Sequence, residues 1–548
     1  MIRHRSKSSF PARVTGWAIV FLIAAAGSFA ARTTRQNIVA PDDLLAGIII
    51  PNVDDDDGDG RPDFQADVPD AADNDLFRFK IVLPSPASGE IRFRVEIPEP
   101  WDKLIRLFLS DPSSGALRPF SGPAAVPAPA DLAGREIALA LEAADFAGPG
   151  RPPAFDLKVR FETKDGRPLG EQTFRFAVAP FLMSCCLDPA EAVQVVRTAI
   201  TGEFVKALAP AVEAAGSRLE VIDDAAVPSH DIWIQDAVEI GSASDGQRLM
   251  HVALHGNRGR KLDDLFARKF LGRDSGVVHP GSFRGESAEW IDWFGNLEVS
   301  PPLRANGRDY PRGRIYAGTQ GVRAMHPEVI KFLDAQGVQA PVLWLDTSWL
   351  VIGHVDETVS WVPSNVGNPF RMLIPSTRLA VEILRKAEKD APGCVINRGR
   401  QRPGDIPGMF EKPVAGVLAD KKLMDQQDFV QKKIDAVRKT LQDELGIADQ
   451  DIIEIPVLFD SYDAKFAGRF EALTPNMVNS LLVGKTFIVP DPFGPLVDGR
   501  DVLLQAVKDR LEPIGCAVTA VDNFFPYHRW AGEVHCGTNA TRNPATSH

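Results

Sequence analysis

The hydrophobic pattern of the chain changes near Pro180, and this change constrains the fold more than any other feature. Between Asp75 and Ala179, apolar residues alternate with polar ones in short runs, including 76–82, 91–97, 155–161 and 173–178. Alternation with a period of two is typical of half-buried strands, and Pro, Gly and Ser separate the runs. We therefore predict an immunoglobulin-like β-sandwich over residues 45–180.

Beyond Pro180, stretches with helical periodicity alternate with short apolar runs. The pattern predicts helices at 189–208 and 422–445, and strands at 482–483 and 487–489. A chain of 548 residues is too long for one small core, so residues 181–548 are assigned to a separate α/β domain of catalytic type. The glycine-rich phosphate loops of nucleotide enzymes are absent from this sequence.

Residues 1–30 have the pattern of an export signal, with 31–44 as a linker. A basic start precedes an apolar run that begins at Trp17, and Ser28-Phe29-Ala30 fits cleavage after Ala30. An uncleaved membrane anchor is the alternative, although the run is short for a full span. We expect a secreted or periplasmic protein with no stable membrane span after cleavage.

The net charge of the chain limits the classes of binding partner that we expect. The formal charge is −12, and the first thirty residues contain basic side chains but no acid. Nucleic acid is therefore not expected as a partner, since phosphate binding favours a basic face. Cationic substrates and metal ions suit this balance better, and the sequence leaves the oligomeric state open.

An acidic segment follows the linker. Asn52-Val53-Asp54 leads into Asp55-x-Asp57-x-Asp59-Gly60, which matches the opening of a calcium loop, although no EF-hand helices flank it. Clustered carboxylates repel one another unless a cation lies between them. We predict a calcium-binding loop of another type, with a solvated acidic linker as the alternative.

The candidate catalytic side chains lie in three polar motifs of the predicted α/β domain: 231–239 (DIWIQDAVE), 353–357 (GHVDE) and 532–539 (GEVHCGTN). Taken alone, Cys536 fits a structural thiol better than a nucleophile. Together, Asp236, Asp356, His354 and Cys536 offer two carboxylates to grip a guanidinium, an imidazole to protonate ammonia and a thiol to attack carbon. If segments 231–239 and 353–357 are extended, Asp236 and Gln235 project to opposite sides of the first segment. His354 and Asp356 then project to the same side of the second.

These motifs resemble those of the calcium-dependent protein-arginine deiminases, which convert peptidyl arginine into citrulline. The segments 294–302 (FGNLEVSPP), 475–479 (PNMVN) and 491–495 (DPFGP) resemble the same family. The resemblance covers about 180–545, with a looser match from about 45. It implies a pseudo-fivefold α/β-propeller (pentein) for the α/β domain. It also leads us to expect that the export signal takes the place of a further N-terminal domain of the family.

The resemblance also implies roles for individual residues. Cys536 would be the nucleophile that forms an amidino-thioether, and His354 the general acid and later the base. Asp236 and Asp356 would hold the guanidinium. Trp233 would form a wall of the side-chain slot, and Arg258 would bind the substrate backbone.

Calcium is the implied cofactor. One site is expected in the α/β domain, with Phe294 and Leu297 contributing carbonyl groups, and a second in the acidic loop. The implied ligands are Gln235, Glu239, Phe294, Leu297 and Glu298 for the first site, and Asn52, Asp54 and Asp56 for the second. A further family site is expected to be lost, since Ala237, Ala253 and Leu254 stand at its ligand positions and leave only Asn257.

Three functional hypotheses therefore precede the structure. The first is a calcium-activated deiminase that acts on arginine in proteins or peptides. The second keeps the fold but acts on free arginine or another small guanidine, as a deiminase or amidinotransferase. The third is an exported calcium-binding protein without catalysis. Gly256 stands where the family often has a basic residue, which leaves the breadth of substrates open.

Overall fold

Alternating apolar residues form two facing sheets in the N-terminal part of the computed structural model. The structure describes residues 45–65, 75–84, 91–111, 114–120, 126–128, 136–281, 283, 289–461 and 468–544. One sheet contains, in spatial order, Gly47–Ile49, Pro168–Val178, Ala154–Thr163, Ile91–Glu96 and Val126–Ala128. The other contains Phe77–Val82, Glu136–Ala143, Ile105–Ser110 and Leu117–Pro119.

A single hydrophobic core lies between these two sheets. Phe93, Leu157 and Phe176 of the first sheet pack with Ile81 and Leu141 of the second, and all five side chains are buried. Polar, more exposed residues flank Phe93 and Leu157 in the chain, as a period of two requires. The four strands predicted by alternation are confirmed, whereas immunoglobulin-like connectivity stays a prediction.

Among the described residues of the α/β region, one topological unit occurs five times. Each unit has two antiparallel strands, then a helix, then a third strand parallel to the second. The first unit contains Thr538–Arg542, Ala190–Val196, the helix Gly202–Ala214 and Arg218–Ile222. The second contains Val238–Ser244, Leu249–His255, the helix Lys261–Phe270 and Ser275–Val278, with Leu182–Met183 added at its edge.

The other three units follow in chain order. The third contains Leu297–Val299, Ile315–Thr319, the helix Pro327–Gln336 and Leu343–Asp346. The fourth contains Ser360–Pro363, Phe370–Ser376, the helix Thr377–Asp390 and Ile452–Pro456. The fifth contains Leu481–Val483, Thr486–Pro490, the helix Val502–Leu511 and Ala517–Val521. The fivefold repetition that the resemblance implies is thus present in the topology.

The first unit joins the two ends of the α/β region. Its leading strand, Thr538–Arg542, comes from the C-terminal end of the chain and pairs with Ala190–Val196. Cys536 precedes this strand directly. The nucleophile candidate therefore lies where the end of the chain is fixed against the beginning of the region.

The fourth unit carries a helical insertion. The helices Val414–Ala419 and Lys421–Leu445 lie between its own helix and its last strand. Asp420 caps the longer helix, and Gly446 ends it in the left-handed conformation. Ile434 and Leu441 are buried whereas Phe429 is exposed, and the helix predicted at 422–445 is confirmed.

Smaller elements connect these units. The hairpins are Leu303–Ala305 with Arg308–Tyr310, Val395–Ile396 with Lys412–Pro413, Phe459–Ser461 with Phe470–Ala472, and Leu496–Val497 with Arg500–Asp501. Short helical turns occur at Asp63–Gln65, Trp101–Lys103, Ile234–Ala237, Trp290–Asp292, Phe294–Asn296, Val355–Glu357, Asp449–Asp451, Glu512–Ile514 and His528–Trp530.

The helix predicted at 189–208 is wrong over its first half. Residues Ala190–Val196 form a strand, and the helix begins only at Gly202. Val193, Val195 and Val196 are fully buried in this strand, which is paired on both edges. Residues 192–196 (AVQVV) are all buried, so both faces of the strand are covered, and periodicity alone cannot distinguish such a run from a buried helix.

The predicted export signal and the linker at 31–44 lie outside the described residues. Among the residues that are described, none of the helices combines the length and hydrophobicity needed to cross a membrane.

Candidate active site and its neighbouring cation sites

Equivalent loops of the repeated units supply the candidate catalytic side chains. Cys536 lies just before the leading strand of the first unit, and Asp236 just before that of the second. His354 and Asp356 precede the leading strand of the fourth unit. Gly295 occupies the corresponding place in the third. Because the units share one topology, equivalent loops can meet at one end of the region.

The loop that carries Asp236 is helical, not extended. Residues Ile234–Ala237 form a single helical turn, and the backbone N–H of Gln235 donates to the carbonyl of Cys536 at 3.4 Å. Contact with the Cys536 loop thus overrides the local alternation. The turn still separates its two polar residues, since Asp236 lines an outer cavity and Gln235 an inner one.

The 353–357 segment also differs from the extended form that spacing predicts. Val355–Glu357 is a helical turn, because the carboxylate of Glu357 accepts the backbone N–H groups of Gly353 and His354 at 3.2 and 3.1 Å. Burial, followed by the charge of Asp356, raises the pKa of Glu357 well above its ordinary value.

The thiol of Cys536 is buried between a carboxylate and an amide. Its Sγ donates to Asp356 Oδ2 at 3.3 Å, and Asn479 Nδ2 donates to Sγ at 3.2 Å. The backbone N–H of Cys536 donates to Asn479 Oδ1 at 3.3 Å, which turns the Asn479 amino group toward sulfur. Burial raises the pKa of the Cys536 thiol well above its ordinary value, and Asp356 and Asp236 raise it further.

The imidazole of His354 has one nitrogen committed to the backbone. Nε2 lies 2.7 Å from the carbonyl oxygen of Trp290 and therefore donates to it. Nδ1 faces Asp236, with 3.6 Å between Nδ1 and Asp236 Oδ1. The nitrogen that can exchange a proton at the site is therefore Nδ1.

Gly295 lies where the functional groups converge. A β-carbon at this position would lie 2.6 Å from His354 Nδ1, 2.8 Å from Asp236 Oδ1 and 3.3 Å from Asp356 Oδ2. No side chain fits between atoms at those distances. The absence of a side chain at Gly295 of the third unit is therefore what allows the second and fourth units to bring their polar groups together.

An outer cavity of about 490 Å³ leads to these groups. Asp236, His354 and Cys536 contribute to its lining, and aromatic residues form much of the remainder. These aromatic residues are Trp233, Trp290, Trp293 and Trp530. A cavity with apolar walls and few convergent polar groups is typical of a site for a small organic group.

The structure places Arg258 away from this cavity. Its side chain is fully buried, with 2.6 Å between Nη2 and Asp263 Oδ1 and 3.3 Å between Nη2 and Asp231 Oδ1. The predicted contact with a substrate backbone therefore stays a prediction. Asp231 and Asp263 already bind the guanidinium from which that contact would be made.

A small inner cavity lies behind the thiol and is lined by acids. Gln235, Glu239 and Glu298 contribute to it, together with Asp356. Burial, followed by the charge of Glu298, raises the pKa of Glu239 well above its ordinary value. Burial also raises the pKa of Glu298 to about 7. Phe294 and Leu297 are buried in the segment immediately before Glu298.

His535 occupies this cavity as well, which the sequence did not predict. Its Nε2 lies 3.2 Å from Glu298 Oε1, and its Nδ1 lies 3.0 Å from Asp356 Oδ2. Burial alone would lower the pKa of His535, but Glu298 and Asp356 outweigh burial and raise it to about 9. A positive charge on this residue thus offsets part of the buried negative charge.

The acidic loop packs against the second unit of the α/β region. Asp54 and Asp56 are buried and lie with Asp274 in one group whose carboxylate oxygens are within 4.8 Å of one another. Burial, then the charges of Asp75 and Asp56, raise the pKa of Asp54 to about 9. Asn52 is also buried. The arrangement has the hard oxygen donors and the surplus negative charge that fit Ca²⁺.

Asp274 shows what local sequence cannot indicate. It is 220 residues from Asp54 in the chain, yet its backbone N–H donates to Asp54 Oδ2 at 3.0 Å. A second acidic group, formed by Asp55, Asp57 and Asp63, lies in the same loop.

A buried network holds the Cys536 loop in place. Glu533 Oε1 accepts the backbone N–H of Asn476 at 2.9 Å and lies 2.8 Å from His528 Nδ1, while Asn523 donates to Oε2 at 2.6 Å. Asn476 and Asn479 belong to the 475–479 segment, whose resemblance to the family was the sequence signal for a role here.

Replacing Gly295 by alanine is expected to destabilise the protein. The added methyl group would overlap His354 and Asp236, and overpacking of this kind costs about 1–3 kcal/mol. Chemical denaturation of Gly295→Ala beside the wild type measures this free energy of unfolding. Gly202→Ala is the matched control, because, apart from its chain neighbours and the backbone of its own helix, no atom of the described residues lies within 4 Å of the added carbon there. Equal stability of Gly295→Ala and wild type would contradict the convergence described above.

Comparison with known proteins identifies relatives of this chain. The sequence profile of the protein-arginine deiminase family matches residues 168–548. Protein-arginine deiminase type-4 of Rattus norvegicus is 37% identical over 381 residues, or 68% of this chain and 56% of that protein. Type-3 of Homo sapiens is 38% identical over 384 residues, covering 69% of this chain and 56% of its own length.

The matched part is thus a little over half the length of these relatives. A solved agmatine deiminase of Enterococcus faecalis aligns with 66% of this chain and 96% of its own, at a TM-score of 0.38 and 11% identity. The family profile covers well over half of the chain, and relatives more than 30% identical match two thirds of it. The chain therefore belongs to the protein-arginine deiminase family.

Proposed function

We propose that this protein hydrolyses peptidyl arginine to citrulline with release of ammonia, through a covalent amidino-thioether on Cys536, and that calcium activates it. The observation that carries this proposal is the convergence of Cys536, Asp236, Asp356 and His354 around Gly295, beside an aromatic cavity. Membership of the family supports the same activity.

Two unpaired carboxylate oxygens favour a planar cation. Asp236 Oδ1 and Asp356 Oδ1 are both buried and have no hydrogen-bond partner among the described residues. A guanidinium presents several N–H donors in one plane, so it can satisfy both oxygens at once. The aromatic walls would enclose the methylene chain of the same arginine.

Substrate charge would also activate the thiol. Asp356 and Asp236 disfavour a thiolate in the empty site. A bound guanidinium neutralises these carboxylates and lowers the cost of ionising Cys536. The amino group of Asn479, which already donates to Sγ, would stabilise the thiolate that results. Ionisation of the nucleophile is then coupled to the arrival of a cationic substrate.

The reaction would proceed in two stages. The Cys536 thiol gives its proton to His354 Nδ1 as Sγ forms a bond to the guanidinium carbon. The C–N bond to one terminal nitrogen then breaks as His354 Nδ1 passes that proton to the departing ammonia. Water adds to the amidino carbon while His354 accepts a proton from it, the C–S bond breaks as that proton returns to Sγ, and the remaining proton of the original guanidinium leaves with ammonia as ammonium. This sequence yields citrulline and restores the thiol, with no change of oxidation state.

Replacing the nucleophile tests the proposal. Wild-type protein with Ca²⁺ is expected to form citrulline and ammonia from a peptide with an internal arginine, and Cys536→Ser to lose at least about a hundredfold in kcat. Cys516→Ser is the matched control, because Cys516 is also buried but lies in the core of the fifth unit. Full activity of Cys536→Ser would exclude the covalent route, and an inactive wild type would exclude the activity itself.

The inner cavity supports the calcium part of the proposal. Gln235, Glu239 and Glu298 would hold the ion, with backbone carbonyls of Phe294 and Leu297 completing the set. Bound Ca²⁺ would offset buried negative charge and fix neighbouring loops, a structural role. In the acidic loop, Asn52, Asp54 and Asp56 would bind calcium with Asp274, which ties the sandwich to the α/β region.

Glu298→Gln tests this assignment. Loss of one charged ligand is expected to raise the Ca²⁺ concentration for half-maximal citrulline formation about tenfold or more. Calorimetric titration with Ca²⁺ should show one weakened class of sites, since the acidic loop is unchanged. Glu203→Gln, on an exposed helix surface, is the control. An unaltered calcium dependence would remove Glu298 from the ligand set.

We also propose that the protein is exported and cleaved after Ala30, on the basic and apolar pattern of residues 1–30. Expression of the full chain followed by mass spectrometry of the periplasmic and extracellular fractions checks this. A mature N-terminus at Ala31 is expected, and a chain that keeps residues 1–30 in the membrane fraction would support the anchor instead.

The finer features of the fold are likewise proposed. An immunoglobulin-like sandwich over 45–180 and a closed five-bladed propeller over 181–548 fit the two facing sheets and the fivefold repeat. Convergence of equivalent loops at one site supports closure of the propeller.

A further inference from the structure

Arg258 and Arg260 lie two residues apart, yet their side chains have different environments beside the outer cavity. The side chain of Arg258 is fully buried, whereas that of Arg260 is 35% exposed and lines the cavity. Gly259 separates them with a φ of 70°, a left-handed conformation that glycine adopts readily. The turn at Gly259 sends one guanidinium into the protein and the other to the cavity wall.

Contacts hold Arg260 in a defined place. Its guanidinium carbon lies 4.6 Å from the centre of the Trp293 ring, and its Nη1 lies 3.4 Å from Asp231 Oδ1. The same Asp231 oxygen also contacts Arg258, so its charge is shared between two cations. Arg260 thus keeps donor capacity that these neighbours do not saturate.

A permanent positive charge is unexpected in the lining of a cavity that takes a cation. Arg260 is near enough to Asp236 to favour its ionised form. It would also repel a second positive charge on the ligand. Its position is favourable only if the end of the ligand remote from the guanidinium presents oxygen acceptors.

We propose that Arg260 selects the class of substrate: it donates hydrogen bonds to carbonyl or carboxylate oxygens at the backbone end of an arginine, and it disfavours guanidines that end in an amine. This inference rests on the proposed function. It assigns to Arg260, which the sequence did not single out, a recognition contact that buried Arg258 does not offer in this structure.

Three ligands with the same guanidinium and different far ends test it. Nα-acetylarginine N-methylamide offers two carbonyls and no charge, free arginine offers a carboxylate beside an ammonium, and agmatine offers only an ammonium. In the wild type, kcat/KM should be highest for the acetylated amide and lowest for agmatine. Arg260→Gln should lower kcat/KM for the amide about tenfold, mainly through KM, because a charge-assisted hydrogen bond is lost. It should leave agmatine unchanged or improve it.

Matched variants separate recognition from structure. Arg260→Lys keeps the charge and should retain most of the preference for the amide over agmatine. Arg268→Gln, at an exposed position of the neighbouring helix, should change nothing. An Arg260→Gln protein whose amide-to-agmatine ratio equals that of wild type would overturn the proposal. A loss in kcat that is equal for all three ligands would do the same, because it would indicate a structural role.

Equilibrium binding makes the outcome independent of turnover. Calorimetry with Cys536→Ala and with Cys536→Ala/Arg260→Gln compares the affinities for the same three ligands. A wild type that forms no citrulline while these affinities shift as expected would reject the proposed reaction and keep the role of Arg260. Active wild type with unshifted affinities would reject the role of Arg260 and keep the reaction.

Discussion

Buried negative charge is the constraint on which the α/β region depends. Asp236, Asp356, Glu239 and Glu357 are almost inaccessible to solvent, and Glu298 lies close to them. Burial raises the pKa of Asp236 and of all three glutamates. Ionised carboxylates in such surroundings require cations or hydrogen-bond donors. The site is therefore most stable when positive charge is present on both sides of the thiol.

The inner and outer cavities differ in the source of this positive charge. On the inner side, His535 bridges Glu298 and Asp356, and a calcium ion would add charge at Glu239 and Glu298. Asp236, which lines the outer cavity, and Asp356 each present an oxygen without a hydrogen-bond partner among the described residues. Asp356 contacts both His535 and Sγ of Cys536, so it links the two sides. This shared carboxylate is a physical route by which an inner cation could alter the reactivity of the outer thiol.

The fivefold repeat brings the polar groups of this site together. Strands and helices fix the ends of five equivalent loops, and the loops carry the polar groups that a core would exclude. Gly295 and Asn479 come from the third and fifth units and complete the set begun by Cys536, Asp236 and His354. Residues between 236 and 536 thus meet at one site although they lie far apart in the chain.

The sequence by itself determined the kinds of element and the chemistry. Alternation located the sandwich strands, helical spacing located Lys421–Leu445, and three polar motifs named the thiol, imidazole and carboxylates. It misjudged 189–208, because residues 192–196 are buried on both faces of their strand and do not alternate strictly. It also misjudged the local shape at Asp236 and at His354, where contacts with Cys536 and Glu357 impose helical turns.

Only the tertiary structure decided which groups touch. Asp274 contacts Asp54, and Asn479 contacts Sγ of Cys536. His535 contacts both Glu298 and Asp356. The partners in each of these contacts are distant in the chain. The burial of Arg258 and the exposure of Arg260 were equally undetermined, since two neighbouring arginines look alike until a turn separates them. Periodicity reports the environment of a residue along its own element. Contacts between elements depend on chain packing, which local pattern does not encode.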